Sequence, residues 1–322
     1  MEIHHQAKKI LDLLTTDGVN VLSQMSVAEA RTHYDQVIAE HNFDLAEVGG
    51  VEDREIDGPN GPIPLRIIRP LGSGPAEPLP ILVFFHGGGW VIGSVASREP
   101  QCRLISNRAN CIVVAVTYRL APENKFPAAL NDADAAVCWV AENAVELGGD
   151  PKRVAAGGDS AGGNFATVLA LQYRDSGGPD LCSLLLIYPS TDPLLTADFP
   201  SYKLFDGGYF LTHKQMEWYW ECLLPDDFDR TDVRYSPILA KDFSGLPPAL
   251  IITAECDPLR DDGANLSKLL QEAGGSVEYI CYEGMIHGFW HWGKLIDAAG
   301  EALDACIEHL TKVFAASSEK AA

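Results

Sequence analysis

The stretch RVAAGGDSAGGNFATVLALQY (residues 153–173) constrains the fold more than any other part of the chain. It opens on a short apolar run of strand length and closes on a helical pattern. Between the two lies one hydroxyl, Ser160, fenced by glycine and alanine. Serine and glycine together ordinarily mark a loop. The flanks ask instead for a strand that turns straight into a helix. Gly158, Ser160 and Gly162 fit G-x-S-x-G, and a turn this sharp closes only if the residues two positions either side of the serine are small. Such a turn exposes the hydroxyl at the end of a sheet. It also aims the positive end of the helix that starts at Ala161 toward it.

The rest of the chain supplies a sheet for that turn. VEDREI and IPLRIIR are extended runs separated by DGPNG, a hairpin signature, and a Pro/Gly loop, PLGSGPAEPLP, follows. ILVFF (81–85) and CIVVAVTY (111–118) are continuous apolar runs, as expected of strands buried on both faces. Strand patterns then alternate with helical ones: a helix after Phe126, strand 153–158, helix from Ala161, strand 184–189, strand 249–255, helix ANLSKLLQEAG, strand 276–283 and a final helix from Lys294. This alternation predicts a mostly parallel, doubly wound sheet of about eight strands flanked by helices. Two regions fall outside it. Residues 1–50 read as helical, with Ser26 and Glu29 forming a capping box. Residues 196–230 are aromatic-rich, and Thr212 and Gln215 repeat the capping pattern ahead of MEWYWECLL, a helix apolar on more than one face that has to cover something. The expected division is a helical cap from 1–50 and 196–230 over a core built from 51–195 and 231–322.

Composition narrows the partners. A formal net charge of −21 disfavours nucleic acid and anionic membrane surfaces. There is no run of about 18 apolar residues, so no membrane span is expected. MEIHHQAKKILDLL lacks the pattern of a signal peptide, and the expected location is cytoplasmic. The eight cysteines show no C-x-x-C pair and no zinc spacing, so they are expected as free thiols, and neither metal nor cofactor is expected.

HGGGW (86–90) directly follows ILVFF. Backbone N–H groups reach a substrate oxygen only where no Cβ intervenes, and an HGGG-type loop is the companion of a G-x-S-x-G turn in building an oxyanion hole. A phosphate-cradling loop fits less well, because position 92 is Ile and no Walker lysine follows. The order of groups on such a fold is serine, acid, histidine. Of nine histidines, His213, His287, His291 and His309 follow Ser160. His287 sits on a loop after a strand, where such sites lie, with His291 its near rival. His86 is expected to hold the glycine loop. Glu255, Asp257, Asp261 and Asp262 are the candidate acids, and Asp257 stands just past its strand ahead of Pro258.

In HGGGW, YRLAPE (118–123), GGDSAGG, DPLRD (257–261) and GMIHGF (284–289), taken in order, the chain resembles the hormone-sensitive lipase family of α/β-hydrolases, the bacterial family IV esterases, from about residue 50 to its end. The resemblance implies an α/β-hydrolase fold with a helical cap and selects Ser160, Asp257 and His287. It implies an oxyanion hole of Gly88, Gly89 and Ala161, with Gly87 left open. It implies a carboxylesterase acting on short- to medium-chain acyl esters, with a small-molecule ester as partner and a homodimer by analogy. Trp90, Tyr188, Phe210 and Phe289 are expected pocket walls by position. An amidase or deacetylase, a transacylase, or a non-catalytic binding module are the competing readings.

Overall fold

The computed structural model describes residues 2–14, 21–72 and 77–319. The chain opens with α1 (His5–Leu14) and α2 (Val27–His41). At the start of α2 the expected capping box is complete: Ser26 Oγ accepts from Glu29 N–H, and Glu29 accepts from Ser26 N–H at 3.0 Å. Residues 42–49 leave the helical conformation, so the first fifty residues are helical only in part.

The hairpin β1 (Gly50–Gly58) and β2 (Gly61–Arg69) leads to β3 (Leu79–Phe85), α3 (Glu99–Ala109) and β4 (Ile112–Val116). The Pro/Gly loop between β2 and β3 includes residues 73–76, which lie outside the described residues. Then come α4 (Ala128–Glu142), β5 (Gly149–Asp159), α5 (Ala161–Ser176) and β6 (Leu181–Ile187). Next are α6 (Pro200–Leu204), α7 (His213–Leu223), β7 (Ala249–Cys256), α8 (Arg260–Glu272), β8 (Val277–Ile286) and α9 (Asp297–Glu319). The sequence reading missed α3, although Cys102, Ile105, Ser106 and Ala109, all buried, recur at helical spacing. Its first turn carries Pro100, which starts helices as readily as it ends them. The last helix starts at Asp297 rather than Lys294.

The strands form one eight-stranded sheet in the order β1-β2-β4-β3-β5-β6-β7-β8. β1, β2 and β4 pair antiparallel, and every pairing from β4–β3 to β7–β8 is parallel. Alternate residues serve opposite faces, as a period of two requires. Leu184, Leu186 and Ile251 pack with Ala166 and Ala170 of α5 and Leu266 and Leu270 of α8. Leu185, Ile187, Leu250 and Ile252 belong to the other cluster, with Ala302, Leu303 and Cys306 of α9. Buried on both faces, these strands carry continuous apolar runs.

The register decides where the chemistry sits. Phe85 of β3 pairs with Gly158 of β5, so the HGGGW loop and Ser160 leave neighbouring strands at the same level. Cys256 of β7 pairs with Ile286 of β8, which brings Asp257 and His287 to that same sheet edge. Among the described residues no helix is long and apolar enough to cross a membrane, and all eight cysteines are free.

Candidate active site

Ser160 caps α5 with φ 55° and ψ −115°, a backbone conformation that an L-residue adopts only under constraint. The glycines around it explain how the turn closes. A Cβ on Gly158 or Gly162 would run into the carbonyl oxygen of Phe85 on β3. Ser160 N–H donates to Ile187 O at 2.8 Å, which ties the turn to β6.

His287 follows β8 directly, and Gly288 behind it takes φ 77°, turning the chain so that the imidazole faces β5. His287 Nε2 lies 3.1 Å from Ser160 Oγ, and His287 Nδ1 lies 2.7 Å from Asp257 Oδ2. Asp257 is fully buried, and its other oxygen accepts from Leu259 N–H at 2.8 Å. A carboxylate accepts only, so the shared proton sits on Nδ1 and the bare Nε2 faces the hydroxyl.

The rival residues are occupied elsewhere. His291 Nε2 lies 3.1 Å from both Asp159 Oδ2 and Tyr188 Oη, and burial with the Arg98 charge pushes its pKa down to about 4. His309 sits on Ser183, and His213 is an exposed residue near Glu217. Glu255 accepts from Gly284 N–H. Asp261 accepts from Ser201 N–H, and Asp262 from the N–H groups of Thr191 and Asp192 and from Tyr202 Oη. The two carboxylates beyond Asp257 thus anchor the segment between β6 and α7. His86 stacks on Tyr118, and its Nδ1 lies 2.9 Å from Gly87 O, as expected of a residue that holds the loop.

In the glycine loop, Gly88 (φ 126°) and Gly89 (φ 58°) adopt conformations that favour glycine. Among the described residues, the N–H groups of Gly88, Gly89 and Ala161 have no recorded hydrogen-bond acceptor. The Gly87 N–H donates to Asp159 Oδ1 at 3.0 Å. That N–H is committed within the protein, unlike those of Gly88 and Gly89.

A cavity of about 50 Å³ joins Ser160, His287, Gly88 and Gly89. Trp90 and Phe210 line it. Tyr188 and Phe289, expected in the wall, stand behind it: both are fully buried, with Tyr188 packed on the His287 ring at 4.7 Å and Phe289 on Tyr188 and Tyr282. Their positions beside the strand ends put them in the core layer that supports the histidine. The sequence reading missed the residues that α2 and α7 bring over the cavity: Tyr34, Gln215, Met216 and Tyr219. Thr212 caps α7 by accepting from Gln215 N–H, while the Gln215 amide reaches Tyr219 Oη at 3.0 Å. The Tyr219 ring lies against Gly89, where a Cβ would collide with it.

The cavity wall also includes Arg98 and Asp159. Arg98 Nε and Nη2 donate to the two Asp159 oxygens, each at 2.9 Å, and both side chains are about 1% exposed. Asp159 therefore accepts from Gly87 N–H as well as from Arg98. It joins the residue before Ser160 to the glycine loop, and the guanidinium holds its carboxyl far below the usual carboxylate range against the cost of burial. Asp159 lay inside the motif, but nothing in the sequence named Arg98 as its partner.

A sheet of this order, with a strained serine between its fifth strand and the helix that follows, has the architecture of an α/β-hydrolase. The family model for the α/β-hydrolase fold matches residues 82–291, and the chain belongs to that family. The hormone-sensitive lipase resemblance is upheld by its relatives. The chain is 44% identical over 273 residues to the carboxylic ester hydrolase LipN of Mycobacterium tuberculosis, covering 82% of this chain and 71% of that one. It is 39% identical over 251 residues to the ethyl acetate hydrolase of Pseudomonas putida, covering 77% of this chain and 78% of that one. Among solved structures, the hyperthermophilic esterase of the archaeon Pyrobaculum calidifontis superposes with a TM-score of 0.89 at 36% identity, over 97% of this chain and 99% of that one.

Proposed function

We propose that this enzyme is a serine carboxylesterase that hydrolyses short- to medium-chain acyl esters through an acyl-enzyme intermediate. The observation that carries the proposal is the Ser160–His287–Asp257 relay, at 3.1 and 2.7 Å, opening on a cavity beside the N–H groups of Gly88, Gly89 and Ala161. The names of its relatives, a carboxylic ester hydrolase and an ethyl acetate hydrolase, support the same substrate class.

In this reading Ser160 Oγ attacks the ester carbonyl and passes its proton to His287 Nε2. Asp257 keeps the Nδ1 proton in place and stabilises the imidazolium as it forms. The carbonyl oxygen, now anionic, is held by the N–H groups of Gly88, Gly89 and Ala161, one such donor being worth about 3–4 kcal/mol in other hydrolases. His287 returns its proton to the departing alcohol, and Ser160 is left acylated. Water, deprotonated by His287, then attacks the acyl carbonyl, and His287 passes that proton to Ser160 Oγ as the carboxylic acid leaves. The described residues within 1–50 and 196–230 act as the cap over this cavity, through Tyr34 on one side and α7 on the other. Leu211 and Met216 lie in its wall, so long acyl chains have to displace cap side chains to enter.

The test is labelling by a fluorophosphonate, with the modified residue mapped, alongside turnover of a p-nitrophenyl ester series. The expected result is a single adduct on Ser160 and rates that fall with long acyl chains. An adduct on another residue, or turnover that survives the loss of the Ser160 hydroxyl, overturns the reading.

A further inference from the structure

Tyr34 of α2 is 7% exposed and lies in the cavity wall together with Arg98, Asp159 and His291. Its hydroxyl oxygen accepts from Arg98 Nη2 at 3.0 Å. The direction of that bond is fixed, because a guanidinium has donors and no acceptor. The remaining Arg98 groups are engaged too: Nε and the other Nη2 hydrogen on Asp159, and Nη1 on Ser97 Oγ at 3.0 Å. The Tyr34 oxygen has thus used a lone pair on arginine, and its own proton has to point elsewhere. Among the described residues no acceptor for it is recorded. Burial raises its pKa, so the phenol keeps that proton.

The charge lining this end of the cavity is balanced, the Asp35 carboxyl that also acts on Tyr34 lying outside the lining. Arg98 and Asp159 form a closed ion pair, and the neutral imidazole of His291 completes the polar end of the cavity. A buried place with no net charge favours an uncharged oxygen over a carboxylate or an ammonium group, since an extra unpaired charge there carries the full desolvation cost. A hydroxyl donor left without an acceptor carries a smaller cost of the same kind, which a substrate oxygen removes.

We infer that Tyr34 is a specificity-determining residue whose hydroxyl donates a hydrogen bond to a neutral acceptor oxygen in the substrate, distinct from the scissile ester group, so that the enzyme prefers ether-, keto- or hydroxyl-bearing esters over their all-carbon counterparts. This inference rests on the carboxylesterase reading above and names a substrate class within it.

The test compares isosteric pairs on each side of the ester: p-nitrophenyl methoxyacetate with p-nitrophenyl butyrate, and 2-methoxyethyl acetate with butyl acetate. For each pair the ratio of kcat/KM values is divided by the ratio of alkaline hydrolysis rates, which removes intrinsic reactivity. One net hydrogen bond corresponds to a preference of about five- to tenfold for the ether on one of the two sides. In Tyr34→Phe that preference collapses toward one. A corrected preference below about threefold on both sides in the unaltered enzyme overturns the inference, as does a Tyr34→Phe variant that slows both members of a pair equally. The measurement on the unaltered enzyme stands even if the variant does not fold. If neither alkyl ester is turned over, it is the carboxylesterase reading that fails.

Discussion

Two serine–histidine–acid groupings stand out among the described residues, and they differ in instructive ways. Ser160, His287 and Asp257 meet at the C-terminal ends of β5, β8 and β7. At the other end of the sheet, Ser183 near the start of β6 lies 2.8 Å from His309 Nε2 on α9, and His309 Nδ1 lies 3.8 Å from Glu278 on β8. The second serine–histidine contact is the shorter one. Its polarity, however, is reversed. Ser183 Oγ reaches Pro248 O at 3.1 Å, and a carbonyl only accepts, so the serine spends its proton there and accepts from His309. In the first grouping the histidine offers the serine a lone pair; in the second it offers a proton. Ser183 is also fully buried within a strand, whose residues LCSLLLI contain no glycine to make a turn. Proximity of the three residue types is therefore a weak criterion. The turn that exposes the hydroxyl, the direction of the hydrogen bonds and the neighbouring donors distinguish a nucleophile from a structural tie.

Substitutions in matched positions sharpen the contrast. The largest effect is expected from Ser160→Ala, which lowers kcat on p-nitrophenyl esters by on the order of 10⁵- to 10⁶-fold. Ser183→Ala leaves the rate within about twofold, since that residue touches no substrate. Comparable losses from both variants erase the distinction. Next comes Asp257→Asn, expected to cost about 10⁴-fold in kcat by upsetting the histidine tautomer, against no measurable rate change for Glu278→Gln. Gly89→Ala follows: its Cβ meets Tyr219 Cδ1 and Cδ2 at 2.5 Å, and its φ of 58° strains any side chain. Shifting one N–H group of the proposed oxyanion hole in this way is expected to lower kcat by about 10²- to 10³-fold while leaving the fold cooperative in thermal denaturation. The second grouping has no equivalent position.

The smallest effects are on stability. Ser183→Ala strands His309 Nε2, although Pro248 O keeps its bond from Leu184 N–H at 2.9 Å, and is expected to cost about 1–3 kcal/mol in chemical denaturation. Burial holds the His309 pKa below the usual imidazole range. The unfolded chain then binds more protons than the folded one as pH falls through about 6.5, so stability declines toward acid. His86 and His291, each pushed down to about 4, add to the same slope. His309→Gln is expected to flatten part of the dependence of Tm on pH between about 7 and 5. An unchanged slope shows that His309 does not contribute to it.

Much of this molecule could be read before any coordinates. The apolar runs became the buried strands, because a strand covered on both faces has no polar side to show. Gly158 and Gly162 flagged the turn, since only a residue without Cβ fits against Phe85 O. Their places after strands made His287 and Asp257 candidates, but it was the family resemblance that selected them over His291 and the neighbouring acids. Other features were silent. Helix α3 was hidden behind a proline and polar residues. Tyr188 and Phe289 looked like pocket walls from their neighbours in the chain, yet they face the core layer. Gly87 looked identical to Gly88 and Gly89, and its N–H is spent on Asp159.

The division follows from the range of the forces. Backbone conformation, strand burial and turn chemistry depend on a few neighbouring residues, so they leave a mark in the local order of amino acids. The link from Tyr34 through Arg98 to Asp159 spans 64 and 61 residues along the chain and exists because packing of α2 and α3 onto the sheet brings three isolated side chains together in a dry site. Long-range contacts of that kind carry no periodicity or motif, and they become visible only when the chain is closed on itself.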